Sequence, residues 1–365
     1  MNKIEVFCSV CKKPREREED FRCSCGNPFE VSLNFPFSPP NNSESRLLRY
    51  SGNFPYVDPS RIVELGERIT PLVEENDGSL LKLDYFNPTF SFKDRGSQVL
   101  ISAITSRLKV RGIREDSSGN AGASVAAYAA RAGLDCYVFT PATVSGPKAQ
   151  QIEAYGAKLV RVEGDRNNVT VQAMRGREDS IYVGHVWHPY FWDGMRTIAY
   201  ELYEQLGPEF DVDYIFLPVS AGTLLLGLLY GMNHLLESGL IDKIPKVVCA
   251  QTEAISPLYN RLKGTRYEPP KRIQTIADAL VSVNPPLLDL MVRECKKNNA
   301  ECIAIGEEKI VSSWKELSRN GFYVEPSSAV AYGAKKIYTE KGKLTAKTHL
   351  TILTGCGLKK YITQA

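Results

Sequence analysis

The chain has 365 residues, enough for two medium-sized α/β domains with room for a small appendage. Apolar residues make up 43% and charged residues 24%, a globular balance that excludes a disordered or fibrous chain. The net charge of +3 selects no partner. Basic and acidic side chains alternate, as in Lys12-Lys13-Pro14-Arg15-Glu16-Arg17-Glu18-Glu19, so no basic face for nucleic acid is expected.

Met1 to Val6 carries Lys3 and Glu5 and lacks the apolar run of a secretory signal, so a cytoplasmic location is expected. In that compartment the nine cysteines are not expected to form disulfides. Four fall at the start, as Cys8-x-x-Cys11 and Cys23-x-Cys25, spaced like the two knuckles of a zinc ribbon. Four thiolates fill the tetrahedron of a Zn²⁺ ion and leave no open position, so the expected role is structural. Cys136, Cys249, Cys295 and Cys302 stand among apolar neighbours and are expected in the core. The head is taken as 1–34. Phe35 to Ser43, rich in Pro, Asn and Ser, reads as a linker.

From Leu80 onward strand-like and helix-like runs alternate. Strands are expected at Leu80 to Asp84, Ile113 to Asp116, Asp135 to Thr140 and Lys158 to Val162. Helices are expected at Lys93 to Leu108, Ala121 to Ala132, Lys148 to Tyr155 and Asn168 to Arg175. A second set has strands at Tyr214 to Leu217, Lys246 to Gln251 and Thr348 to Leu353, with a helix after Ser327. This alternation predicts βαβ units and parallel sheets. Tyr214 to Leu236 lacks Asp, Glu, Lys and Arg and is long enough to span a bilayer. Pro218, Ser220, Gly222 and Thr223 divide it into strand, turn and helix start, so a buried βα unit is expected instead.

In open α/β sheets, chemistry gathers at the turns beyond strand carboxyl ends. The first such turn is Asn87-Pro88-Thr89-Phe90-Ser91-Phe92-Lys93-Asp94-Arg95-Gly96. A lysine at a helix start has its ammonium disfavoured, which suits attack on an aldehyde. A surface lysine paired with Asp94 is the bland alternative. The second turn is Ser117-Ser118-Gly119-Asn120-Ala121, whose small residues let backbone N–H groups approach an anion such as a substrate carboxylate, or simply let helix and sheet pack. The third, Ser220-Ala221-Gly222-Thr223, offers backbone donors and two hydroxyls to a phosphate. The fourth is Leu353-Thr354-Gly355-Cys356-Gly357-Leu358-Lys359, where Cys356 reads as a small turn residue.

The first turn resembles the Asn-Pro-Thr-Gly-Ser-Phe-Lys-Asp-Arg-Gly motif of threonine synthases, departing at Phe90. Leu65-Gly66-Glu67-Arg68-Ile69-Thr70-Pro71-Leu72 is similar to the family's Leu-Gly-Glu-Gly-x-Thr-Pro-Leu, and the fourth turn to its Leu-Thr-Gly-x-Gly-Leu-Lys. Phe322 to Ala329 and His188 to Thr197 also resemble family segments. The resemblance implies fold type II, two three-layer α/β domains holding pyridoxal 5'-phosphate in a cleft. It implies a large domain from 35–96 and 198–365, a smaller mobile one from 97–197, and a homodimer. It makes Lys93 the Schiff-base lysine, places Asn120 on the cofactor's phenolic oxygen and Thr354 on its pyridine nitrogen, and leaves Ser220, Ala221, Gly222 and Thr223 for its phosphate. Ser117, Ser118, Gly119, Ala121, His188 and Arg196 are the expected substrate contacts. A neutral hydroxyl at the pyridine nitrogen favours elimination and replacement over transamination.

The implied reaction is conversion of O-phospho-L-homoserine and water to L-threonine and phosphate. Ala121 replaces a threonine of the family, and His188 and Phe191 replace its Asn and Arg, removing a bidentate phosphate donor. Arg196 or His188 is expected to compensate. Ile276-Ala277-Asp278 leans towards a threonine or serine dehydratase, and a phosphoserine-using β-replacement enzyme is a further alternative. From another class, the head could dock a partner while the enzyme body is vestigial.

Overall fold

The computed structural model describes residues 4–164, 166–176, 179–345 and 347–360. The chain opens with an antiparallel pair, β1 (Ile4–Cys8) and β2 (Phe29–Leu33), in register from Ile4↔Leu33 to Cys8↔Phe29. One helical turn, α1 (Arg46–Arg49), precedes β3 (Leu72–Glu74) and β4 (Leu80–Leu83). Then come α2 (Lys93–Arg107), β5 (Gly112–Glu115), α3 (Asn120–Arg131), β6 (Asp135–Pro141), α4 (Pro147–Ala154), β7 (Lys158–Val162), α5 (Arg166–Arg175), β8 (Ser180–Tyr182) and α6 (Pro189–Gly194). The remainder is α7 (Thr197–Leu206), β9 (Tyr214–Pro218), α8 (Thr223–Glu237), β10 (Lys246–Thr252), α9 (Pro257–Lys263), α10 (Leu288–Lys297), β11 (Glu301–Ile305), α11 (Glu307–Arg319), α12 (Pro326–Glu340) and β12 (His349–Leu353).

These elements build two compact units. The first comprises Met1–Ile69 and Asn87–Ile198, the second Thr70–Phe86 and Ala199–Ala365, over their described residues. The first contains the four-stranded parallel sheet β7-β6-β5-β8, packed on α5 through Tyr137, Phe139, Tyr182, Val169 and Ala173. The second contains the six-stranded sheet β11-β10-β9-β12-β4-β3, parallel except for β3 on the edge. Phe216, Val248 and Ala250 of that sheet pack on Val330, Ala331, Ala334 and Tyr338 of α12. Strands buried on both faces read as continuous apolar runs, which is why β9 was legible as a strand.

The division differs from the expected one at 35–69 and 87–96, which pack with the four-stranded unit. The head also packs there: Arg196 Nη2 donates to Val31 O at 2.9 Å, and Arg15 Nη2 to Tyr190 Oη at 2.6 Å. The segment 35–43 is irregular, as expected of a Pro-rich run, but it is pinned. Ser38 N donates to Asn53 Oδ1 and Asn53 Nδ2 returns a bond to Ser38 O, both at 2.8 Å. Tyr214 to Leu236 splits into β9 and α8. No helix among the described residues is long and apolar enough to cross a membrane.

Candidate active site

Lys93 begins α2, and the turn before it is held by Asp94. Thr89 N and Thr89 Oγ1 donate to the two Asp94 oxygens at 2.7 and 2.6 Å, and Ser124 Oγ of α3 donates to Oδ1 at 2.6 Å. Asp94 therefore ties the turn to α3, leaving its neighbour Lys93 to a different environment. Glycines at Gly96 and Gly194 bring α2 and α6 together: a Cβ on Gly96 would lie 2.6 Å from Phe191 O, and one on Gly194 2.7 Å from Arg95 O. This approach sets the Phe191 ring 5.8 Å from Lys93 Nζ, with Phe92 at 4.7 Å. Burial pushes Lys93 down to about 8, against the opposing pull of the Glu115 charge. Near neutral pH a useful fraction of this lysine is the nucleophilic amine.

The loop from Ser117 to Ala121 follows β5 and opens α3. Ser117, Ser118 and Gly119 are partly exposed, and Gly119 N donates to Ser117 Oγ at 3.3 Å; Asn120 and Ala121 are buried. Immediately before the loop, Glu115 is fully buried. Its carboxylate accepts from the His185 N–H at 3.0 Å and meets His185 Nδ1 at 2.7 Å. Asp116 is occupied by Tyr182 Oη at 2.9 Å, Thr170 Oγ1 at 2.6 Å and Arg166 Nη2 at 3.2 Å. Glu115 and His185 escaped sequence reasoning. The available signal was a pair of acidic residues, Glu115-Asp116, closing a strand just before the small-residue loop.

In the second unit, parallel pairing of β12 with β9 carries two loops to one carboxyl edge. After β9 come Ser220, Ala221, Gly222 and Thr223. Gly222 has φ +95 and caps α8, and a Cβ there would sit 2.3 Å from Met291 Sδ, so both conformation and space demand glycine. The N–H groups at the start of a fifteen-residue helix face the direction in which an anion is stabilised. After β12, Thr354 is 6% exposed and its Oγ1 lies 2.8 Å from Ser328 Oγ, which also accepts from Thr354 N and Gly355 N at 2.7 and 2.9 Å. Pro326 at the first turn of α12 delivers Ser328 to this bond.

Two expected substrate contacts are placed elsewhere. Arg196 is 3% exposed, with Nε on Asp193 and Nη2 on the β2 carbonyl of Val31. Its charge is matched by a buried carboxylate that also accepts from Tyr56 Oη at 2.5 Å. His188 is 1% exposed, packed beside Tyr190 with ring centroids 5.4 Å apart, and burial holds its imidazole neutral. Arg196 thereby serves the packing of the head on α6, a long-range contact that motif spacing does not encode.

The four head cysteines converge, with all four sulfurs within 4.8 Å of one another. Cys8 and Cys25 are 3.4 Å apart and Cys11 and Cys23 3.5 Å. A tetrahedron of zinc–sulfur bonds has edges of about 3.8 Å, so the cluster has the dimensions of a metal site. Burial pushes the Cys8 thiol up to about 12, whereas the Asn27 side chain draws Cys25 down to about 6. Cys136, Cys249, Cys295 and Cys302 are buried as expected, and the turn residue Cys356 is buried as well.

A lysine at a helix start whose pKa burial lowers is a side chain suited to hold a carbonyl cofactor. Residues 63–355 match the family described as pyridoxal-phosphate dependent enzyme, and the chain belongs to that family. It is 30% identical to the threonine synthase of Methanocaldococcus jannaschii, over 96% of this chain and 92% of that protein. It is also 30% identical to the threonine synthase of Mycobacterium tuberculosis, over 86% of this chain and 88% of that one. Among solved structures, maize serine racemase superposes with a TM-score of 0.69 at 20% identity, covering 81% of this chain and 89% of that one. Tomato threonine deaminase isoform 2 reaches 0.69 at 19% identity, covering 90% and 88%. The architecture is thus fold type II, and the chain is a pyridoxal-phosphate-dependent enzyme similar to threonine synthases.

Proposed function

We propose that the chain is a threonine synthase, converting O-phospho-L-homoserine and water to L-threonine and phosphate. The observation that carries this reading is 30% identity to a threonine synthase over 96% of the chain. The racemase and deaminase likenesses, at 20% and 19% identity, speak for the fold alone.

In this reading Lys93 holds the cofactor and then moves protons at the α and β carbons of the substrate, a role its lowered pKa suits. Asn120 meets the cofactor's phenolic oxygen, Ser220 to Thr223 receive its phosphate, and Thr354 faces its pyridine nitrogen. Held there by Ser328, Thr354 offers a neutral hydroxyl rather than a carboxylate. When bound, the cofactor's ring takes up the electrons released at the substrate's α carbon. Ser117 to Ala121 receive the substrate carboxylate at the start of α3. With Arg196 turned to the head and His188 buried beside Tyr190, the substrate's phosphate is left to backbone donors and to other cations, among them Lys148.

The dehydratase alternative keeps one specific support, the 3-10 turn Asp278–Leu280 that follows Ala277 beside α12, where Ala279 N donates to Ser327 Oγ at 3.0 Å. Turnover measured side by side with phosphohomoserine, threonine, serine and phosphoserine decides between the two. Phosphohomoserine is expected to be the best substrate, with inorganic phosphate a competitive inhibitor. Faster deamination of threonine or serine, indifferent to phosphate, overturns the assignment. The head is proposed to bind one structural Zn²⁺ through Cys8, Cys11, Cys23 and Cys25, and metal analysis that finds none, with four freely alkylated thiols, removes that part. The chain is further proposed to be a cytoplasmic homodimer, tested by its mass in solution.

A further inference from the structure

Beside Lys93 the four-stranded unit buries an acidic group that the proposed reaction has not used. Glu115 ends β5, is 0% exposed, and precedes the loop proposed to hold the substrate by one residue. His185, 8% exposed, holds it twice, through its backbone N–H and its Nδ1. The His185 ring packs edge-on against Phe191 with centroids 5.5 Å apart, and the face of Phe191 lies 5.8 Å from Lys93 Nζ. Buried carboxylate, imidazole and phenyl ring thus lead in sequence to the half-buried lysine.

The charges around it are few and nameable. Glu115 feels Arg166 of α5 and Lys93 of α2, with the backbone N–H groups of His185 and Asp116. His185 feels Lys93, Asp116 and Arg166. The Tyr182 hydroxyl of β8 and the Cys136 thiol of β6 are themselves held protonated by burial with Glu115 beside them. Burial and the neighbouring cations keep His185 neutral, so Nδ1 carries the hydrogen when the carboxylate is ionised. Among these groups Glu115 is the acid whose charge reaches Lys93.

We propose that Glu115, clamped by His185, is a positioning residue for Lys93, its carboxylate stabilising the protonated lysine in the apolar setting made by Phe92 and Phe191. A lysine that alternates between base and acid needs both forms within reach, and an aromatic pocket alone would drive it towards the amine. The carboxylate supplies the opposing field from within the protein, where charges interact more strongly than in water. The titration of each group reflects this balance: burial lowers Lys93 to about 8 and raises Glu115 to about 7, and each is moved back by the other's charge. Its catalytic relevance rests on Lys93 being the cofactor lysine; its electrostatic content does not.

The test follows the titration of Lys93 in the full-length chain. With cofactor removed by hydroxylamine, the pH dependence of Lys93 acylation is read by peptide mass spectrometry; with cofactor bound, its visible absorbance is followed against pH. In Glu115→Gln both midpoints are expected to fall by about one pH unit, because an attractive charge is lost. Glu115→Asp, which keeps the charge on a shorter arm, restores part of the shift, and Glu301→Gln on the other unit leaves it unmoved. Midpoints unchanged in Glu115→Gln, or an equal shift in Glu301→Gln, overturn the proposal even if stability falls. Should Glu115→Gln fail to fold, infrared titration of the wild type still decides: a buried carboxyl band is expected to appear as pH falls through about 7, and its absence is fatal. Borohydride fixing the cofactor on another lysine, with the Lys93 shift intact, would sink the cofactor assignment and spare the inference.

Discussion

Two lysines, one in each unit, show how alike residues are turned to different ends. Lys82 in β4 is saturated: its Nζ donates to Thr70 O at 2.8 Å, Glu201 Oε1 at 2.6 Å and Gln205 Oε1 at 2.5 Å. Three donors meet three oxygens, and the pair with Glu201 has both side chains fully buried. Lys93 instead lies over two aromatic faces, with the Glu115 carboxylate acting on it and burial lowering its pKa to about 8. A fully matched ammonium is fixed in its protonated form and is part of the scaffold. A desolvated one with an attenuated counter-charge can change state, which is what chemistry requires.

The strongest way to break this comparison is to remove each lysine. Lys93→Ala is expected to lower turnover by on the order of 10³-fold or more, since the cofactor attachment and proton transfer proposed for it would both be lost, while the folded state persists. Steady-state rates and borohydride labelling check this, and substantial residual turnover would void the distinction. Lys82→Met should do the opposite. Leaving Glu201 buried without its cation is expected to destabilise the protein by about 3–5 kcal/mol in denaturant unfolding, with cofactor still attached to Lys93. The double variant Lys82→Met, Glu201→Leu should recover most of that loss, because two apolar side chains need no solvation.

A pH series sharpens the comparison at an intermediate scale. Folding lowers the Lys93 pKa below its unfolded value, so the unfolded chain binds the extra proton between about pH 8 and the ordinary lysine range. Lys93 therefore disfavours the folded state below about pH 8, and the penalty fades as pH rises towards that range. The same titration controls reactivity. Cofactor uptake by the cofactor-free protein is expected to quicken about tenfold per pH unit and level off above about pH 8, as the amine fraction saturates. A rise that continues to pH 10 would make Lys93 an ordinary lysine.

The smallest expected effect lies in the turn itself. Phe90, where threonine synthases have glycine, has φ +63 and is 51% exposed. Phe90→Gly should raise stability by about 0.5–1 kcal/mol, the relief of a left-handed backbone less the added entropy of glycine. Thermal unfolding checks the sign, and a loss of stability would show that the exposed ring contributes more than its backbone conformation removes.

The sequence by itself determined the alternation of strands and helices, the place of Lys93 at a helix start, the clustering of four cysteines and the turns that carry Ser117 to Ala121, Ser220 to Thr223 and Thr354. These are local: hydrophobic period, helix-start chemistry and short spacings are written within a few residues, and the formed elements keep their expected ends within two residues. Only the tertiary structure decided that Arg196 faces the head, that 35–69 belongs with the unit of the four-stranded sheet, and that Glu115 and His185 reach the surroundings of Lys93. Those outcomes depend on residues far apart in the chain, His185 and Glu115 being separated by 70 positions. No local pattern encodes which buried charge finds which partner, because that is settled when the helices and strands pack and each polar group must be matched without water.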